Sequence, residues 1–401
     1  MNVRSTLWAV LPVALALAIA AVSVADDPPK KKINVETVLP VPAFEAKDVP
    51  SKVDREKKNF TVKLDDSIRI VTDPDADPDE EDYEKKYVKI QKATAEFDMV
   101  FIPGGEFQMG SPDGETGRDA SEGPQHKVKV RDFWLMKYEC SWDVFDLWYR
   151  SGNLPRRDEA DGKFQSTKEN KDKVLPPDAI TRPTNPYVGD TYGHGREGKP
   201  ALCMSHHAAM VFCHYLRLKT KLPFRLPTEA EWEYACRAGS TGPYGFDDSK
   251  EKLADYAWFK DNSPDADHDG GTTHKQGSKK PNAFGLYDMH GNLSEWTLDL
   301  FDKSLYSNRA KDPKTALNFK MPDATKWGHV VRGGSWADEA IDCRAAKRLV
   351  SETGWMGEDP QFPRSVWWLT KMDTIGFRVA LPVDEYPELV GLKPMVPKKG
   401  R

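Results

Sequence analysis

The sequence predicts a mixed body of short strands, a few helices and much irregular chain, and three observations lead to it. The chain has 401 residues, 39% of them hydrophobic, enough for a sizeable core that needs no cross-links. Its periodic segments are short and varied, with no long run of helical or strand spacing. One helix is marked at both ends: Thr228 and Glu231 have the T-x-x-E spacing of a capping box, and Gly239 supplies a left-handed stop.

Taken in order, the chain opens with an address. Arg4 precedes an apolar run from Leu7 to Val22, and Ser23-Val24-Ala25 places small residues where signal peptidase cuts. Residues 1–25 are therefore expected to be a cleavable signal peptide, the alternative being an uncleaved anchor. The mature protein is expected to be exported, periplasmic or secreted, with no stable membrane anchor. Residues 26–87 carry charge clusters, prolines and the acidic stretch Asp73 to Asp82, and read as a largely disordered linker. One short strand is expected in it, at Thr61 to Leu64 or Ile68 to Val71.

The body spans 88–383. Phe101-Ile102-Pro103-Gly104-Gly105-Glu106-Phe107-Gln108-Met109-Gly110 suits two short strands joined by a tight turn, and His126 to Val130 reads as another strand. Ser141 can cap a helix carrying Trp142, Phe145 and Leu147, and Ser205 can cap a second carrying Ala209, Phe212, Cys213 and Leu216. A charged, turn-rich insertion falls at 151–200. A Pro, Lys and Gly tail occupies 384–401.

Charge names no partner. The 58 basic and 63 acidic residues are interspersed, leaving a net charge of -5 and no footprint for nucleic acid. The five cysteines, Cys140, Cys203, Cys213, Cys236 and Cys343, are an odd number and too few for a disulfide scaffold.

The helix from Arg225 to Gly239 does not stand alone. Together with Phe101 to Ser111, the segment Asn282 to Trp296 containing His290-Gly291-Asn292-Leu293-Ser294-Glu295-Trp296, Arg332-Gly333-Gly334-Ser335-Trp336 and Gly376-Phe377-Arg378-Val379-Ala380, it resembles the formylglycine-generating sulfatase-modifying factor family. The resemblance implies an α+β, C-type-lectin-like fold. It also implies an enzyme that oxidises a sulfatase cysteine to formylglycine with oxygen and a copper ion held by two cysteines. Those cysteines lie three and eight residues beyond the serine of the Gly-Gly-Ser motif, which here is Ser335; the matching positions are Asp338 and Cys343. One thiolate and a hard carboxylate suit soft Cu(I) poorly, so copper is not expected. Cys343 and Ser335 remain the catalytic candidates. Cys213 and Cys236 match disulfide positions whose partner positions fall near Val379 and Arg348, so a rearranged Cys236–Cys343 bridge and free buried thiols are both open.

Calcium is the expected metal. Asp265-Ala266-Asp267-His268-Asp269-Gly270 places Asp265, Asp267 and Asp269 at alternate positions before a glycine, the spacing of a loop that wraps an oxygen-loving cation, although a plain acidic turn would look the same. By the resemblance, a second site would use Asn292 and Glu295 with the carbonyls of Gly291 and Leu293. His206, His207 and His214 could share a helix face, but solvated or capping roles are expected for them, since no zinc spacing occurs. The function expected is that of a calcium-stabilised, non-oxidase module binding a peptide, protein or glycan. The alternative is a formylglycine-generating oxidase, or another oxidation using Cys343.

Overall fold

The computed structural model describes residues 52–53, 55–72, 83–151, 189–246, 250–265, 270–311, 327–357 and 365–390. The signal peptide, the acidic stretch, most of the insertion, Asp267, Asp269 and the end of the tail lie outside the described residues.

Strand β1 (Phe60–Val71) pairs antiparallel with β2 (Val88–Ile102), from Phe60↔Met99 to Val71↔Val88, after the short helix α1 (Tyr83–Tyr87). Val62 and Leu64 are buried while Thr61, Lys63 and Asp65 between them are exposed, the period of two that a half-buried strand requires. This corrects the linker reading of 60–71. The two alternative short strands are parts of one, hidden by the charged residues on its outer face.

Strand β5 (Phe133–Met136) and β10 (Ala380–Pro382) complete the first sheet, in the order β1-β2-β5-β10. β3 (Gly105–Met109) pairs with β4 (His126–Val130) in a second sheet. The Pro103-Gly104 turn thus joins strands of different sheets and makes no hairpin, because Phe101 and Ile102 pair with Trp134 and Phe133. A third sheet has the order β8 (Leu349–Val350), β7 (His329–Arg332), β6 (Ser294–Leu300), β9 (Ile375–Gly376), the last pair being parallel.

The helices start where their caps predict. Ser141 accepts from the Val144 amide at the head of α2 (Trp142–Tyr149), and Ser205 from Ala208 at the head of α3 (His206–Thr220). In α4 (Glu229–Arg237) the capping box closes both ways, Glu231 N–H to Thr228 Oγ1 at 3.2 Å and Thr228 N–H to Glu231 Oε2 at 2.8 Å. Its left-handed exit begins one residue early, at Ala238. Two short helices follow, α5 (Leu253–Tyr256) and α6 (Leu305–Lys311).

The largest core cluster is aromatic. Phe145 of α2 touches Trp142, Trp148, Phe212, Trp368 and Phe377 at ring separations of 5.1–6.3 Å, welding α2 and α3 to the C-terminal segment. Around α4 the interior is instead ionic. Glu229 pairs with Arg348, Glu231 with Arg225, and Glu233 with Arg237 and Arg332, all buried. Arg332 ends β7, so this network fixes where the following Gly333-Gly334-Ser335 turn begins. Among the described residues no helix is long and apolar enough to cross a membrane.

Candidate functional site

The turn after β7 is built around one sulfur. Gly334 has φ +70, and a Cβ placed on it would lie 2.8 Å from Cys343 Sγ, so the position demands glycine both for conformation and for space. Ser335 follows, and its N–H and hydroxyl both donate to Asp338 Oδ2, at 2.8 and 2.6 Å. The carboxylate thereby closes the turn as a cap. Burial pushes the Asp338 carboxyl above its ordinary value, opposed by the two Ser335 hydrogen bonds.

Cys343 sits at the end of a single helical turn, Ala340–Cys343, and is fully buried. Burial, with Asp338 and Asp342 adding like charge, holds its thiol well above the ordinary range, in the unreactive protonated form. Beneath it lies His290. The Gly245 N–H donates to His290 Nε2 at 2.9 Å, which leaves the ring proton on Nδ1, 2.7 Å from the Cys343 carbonyl oxygen. Burial lowers the His290 pKa to about 4, so the ring is neutral. Cys236 Sγ lies 3.5 Å from the same Nε2.

All five thiols are free and buried. The Cys236–Cys343 bridge is therefore not formed, and free buried thiols are what the chain holds. Neither does the turn fit a copper ion, since the donor at the first position is a carboxylate already committed to Ser335 and the second is a protonated thiol sealed under Gly334.

The His290-Gly291-Asn292 turn is stitched to this one. Gly291 N–H donates to the Gly333 carbonyl at 2.9 Å, and Trp336 N–H donates to that of Asn292 at 2.9 Å. Gly291 has φ +76, and a Cβ there would meet the Trp258 carbonyl at 1.9 Å. The Asn292 side chain accepts from Thr273 Oγ1 and His274 N–H, both at 2.9 Å, and donates to Glu139 Oε2 at 2.8 Å. Leu293 N–H donates to Glu139 Oε1 at 2.9 Å.

Glu295 has both oxygens engaged. Arg378 donates through Nε and Nη2 at 2.7 and 2.6 Å, and Trp232 Nε1 donates at 2.8 Å. The structure thus brings Gly291, Asn292, Leu293 and Glu295 together, but spends the two side chains of the set on protein partners. Asp265 is half-buried at the edge of the acidic loop, and Asp267 and Asp269 lie outside the described residues. Among the described residues no group of three His, Cys, Asp or Glu is arranged to hold a metal.

Two residues went unnoticed in the sequence. Glu139, just beyond β5, holds both Asn292 and Leu293, and Arg378, quoted only as part of Gly-Phe-Arg, neutralises Glu295. Burial, then the charges of Asp288 and Glu295, push Glu139 well above the ordinary carboxylate range, while Arg378 opposes. The signal that could have found Glu139 is an acid three residues beyond an apolar strand, just ahead of the Ser141 helix cap. The histidines also need correcting: His206, His207 and His214 are buried, and His206 stacks on His329 at 3.6 Å. His206 packs α3 against the third sheet, His207 lies against Trp367, and none of the three is solvated.

Comparison with known proteins gives the geometry a context. The profile of the sulfatase-modifying factor enzyme 1-like domain matches residues 84–362. The inactive C-alpha-formylglycine-generating enzyme 2 of Bos taurus is 30% identical over 311 residues, covering 70% of this chain and 87% of that protein. The formylglycine-generating enzyme of Mus musculus is 31% identical over 260 residues, 59% of this chain and 66% of that one. The serine/threonine-protein kinase pkn1 of Chlamydia pneumoniae is 29% identical over 276 residues, 68% of this chain but only 38% of the kinase, so the similarity spans well under half of that protein.

Proposed function

Because the chain belongs to the sulfatase-modifying factor enzyme 1-like family, we propose that it is a non-oxidase member of it, acting outside the cytoplasm as a module that binds a peptide, protein or glycan. One observation carries the reading. Where the oxidase needs two accessible sulfurs, this chain has Asp338 capping its own turn and Cys343 buried beneath Gly334. The surrounding scaffold is kept: the turn after β7, the turn at His290-Gly291-Asn292 and α4 are locked by hydrogen bonds and buried ion pairs. A scaffold retained without its reactive pair serves recognition, which loops on a rigid frame supply.

Calcium enters this reading only through the acidic loop that starts at Asp265, since Glu295 is neutralised by Arg378. A cation that binds the folded state alone must raise the melting temperature as its concentration rises. A rise at millimolar calcium supports the stabilised module; no shift removes calcium from the reading.

The test of the main claim is chemical. The mature protein is incubated with copper, oxygen and a cysteine-containing sulfatase-motif peptide, and the peptide is examined by mass spectrometry. An unchanged cysteine is expected. Conversion to the aldehyde, abolished in Cys343→Ser, would overturn the proposal and establish the oxidase.

A further inference from the structure

Beyond the helix α4 exit lies a cavity separate from the turn after β7, with Gly245 in its wall. It measures about 590 Å³ and is bounded by the stretch Ala238 to Gly242, by Gly245, Phe246 and Tyr256, and by Pro281, Asn282 and Ala283. In a chain with 30% charged residues, this lining contains none among the described residues, and the nearby Lys280, 5.8 Å from the Tyr256 ring centroid, is paired with Asp255. A second large cavity, by contrast, is bordered by Lys57, Glu106, Lys129, Arg131, Asp132 and Glu385. A charged ligand entering the first cavity would lose hydration and gain no counter-charge. Its occupant is therefore neutral.

The walls specify more than neutrality. Tyr256 stacks on Phe246 with ring centroids 4.2 Å apart and planes 8° from parallel, and Phe246 stacks in turn on the buried Tyr244 at 5.5 Å and 6°. Tyr244 is pinned by its hydroxyl, which donates to the Ala340 carbonyl at 3.0 Å. Three parallel rings thus form a rigid unit with Phe246 between the other two; its half-buried members, Phe246 and Tyr256, border the cavity, and Tyr256 is the one with an outer face. Small residues share the lining: Gly239, with nothing within 4 Å of where a Cβ would sit, and Thr241, an exposed residue with no hydrogen bond among the described residues. Aromatic rings attract the weakly positive C–H edge of a pyranose, and hydroxyls and bare backbone satisfy its hydroxyl groups. An aromatic peptide side chain would use the rings but leave the polar wall unpaired.

We propose that this cavity is a subsite for a neutral sugar ring, with the outer face of Tyr256, braced by Phe246, as the stacking platform and Thr241 as a polar contact. The inference rests on the binding-module reading and narrows its ligand class. It also places the ligand one side chain away from the turn after β7, because Gly245 on the cavity wall donates to His290, which donates to the Cys343 carbonyl.

The test uses the full mature protein and four neutral hexasaccharides, maltohexaose, cellohexaose, mannohexaose and chitohexaose, with a heparin hexasaccharide and a Trp-containing peptide as controls. Saturation-transfer NMR and calorimetry are the readouts. At least one neutral probe is expected to bind at millimolar concentration or tighter, and heparin not to. Tyr256→Ala is expected to weaken that binding at least tenfold. Since this change could also disturb the ring stack, Ala283→Arg, which projects a charge from an exposed position into the cavity, serves as the independent arm and is expected to abolish binding with the melting temperature unchanged. Failure of all four probes, binding that survives both variants, or binding of the peptide in their place would each overturn the sugar assignment. The aldehyde assay is unaffected by any of these outcomes, so failure of the sugar site and failure of the non-oxidase reading are separately visible.

Discussion

Two turns, joined backbone to backbone, have been treated differently in this chain. At Ser335 to Cys343 a single carboxylate, Asp338, is satisfied locally by its neighbour's N–H and hydroxyl, and the sulfur beside it is neutral and sealed. At Asn292 to Glu295 three buried carboxylates, those of Glu139, Asp288 and Glu295, crowd around one guanidinium, Arg378. The first turn carries a capping carboxylate and one buried thiol and is closed by short-range hydrogen bonds. The second depends on long-range partners and carries buried charge in excess. The electrostatic frame around Arg378 is therefore where disruption costs most.

The largest effect is expected at Arg378. Arg378→Ala would leave Glu295 buried and unpaired, and loss of one partner of such a pair costs about 3–5 kcal/mol, measured by urea unfolding. A change below 1 kcal/mol would mean that Glu295 finds another partner, and the contrast between the turns would fail.

Gly334→Ala comes next. The added carbon meets Cys343 Sγ at 2.8 Å in a left-handed backbone, so a loss of about 2–3 kcal/mol is expected. Coupling it with Cys343→Ala sharpens the claim: the double variant should lose less than the sum of the two single losses, because removing the sulfur relieves the contact.

Asp288 tests the excess charge. Burial pushes its carboxyl up to about 6, above the ordinary 3.8, and Oδ1 has no hydrogen-bond partner. The folded state thus holds the proton more tightly than the unfolded chain does. Its contribution to stability is complete below about pH 4 and lost as pH rises through 6. Asp288→Asn, which keeps an acceptor for the Gly277 N–H, is expected to flatten this decline and to be more stable than the parent at pH 8, by up to about 2 kcal/mol. The smallest effect belongs to Asp338→Ala, at about 1 kcal/mol for the lost cap. If it exceeded the Arg378 loss, the local turn would be the more critical of the two.

Much of the frame was legible in the sequence because it is local. Ser141, Ser205 and the Thr228–Glu231 box act within three residues of themselves, and β4 alternates where His126 to Val130 alternates. The family motifs gave the α+β fold. What could not be read is what depends on distance. The charged outer face of β1 looked like linker until its partner strand was in place, and the carboxylate of Glu295 looked free for a metal until Arg378, 83 residues away, was found on it. The cysteines offered two outcomes, and only the packing around His290 distinguishes them.

The central claim is that Cys343 is sealed in the folded protein, and thiol labelling addresses it most directly. The native protein is exposed to iodoacetamide at pH 8, quenched, digested and mapped by mass spectrometry, with a urea-unfolded sample as reference. The expected result is no carbamidomethyl group on Cys343 in the native sample and full labelling in the unfolded one. Rapid labelling of Cys343 in the native protein would show an accessible, reactive thiolate at the oxidase position and would contradict the account.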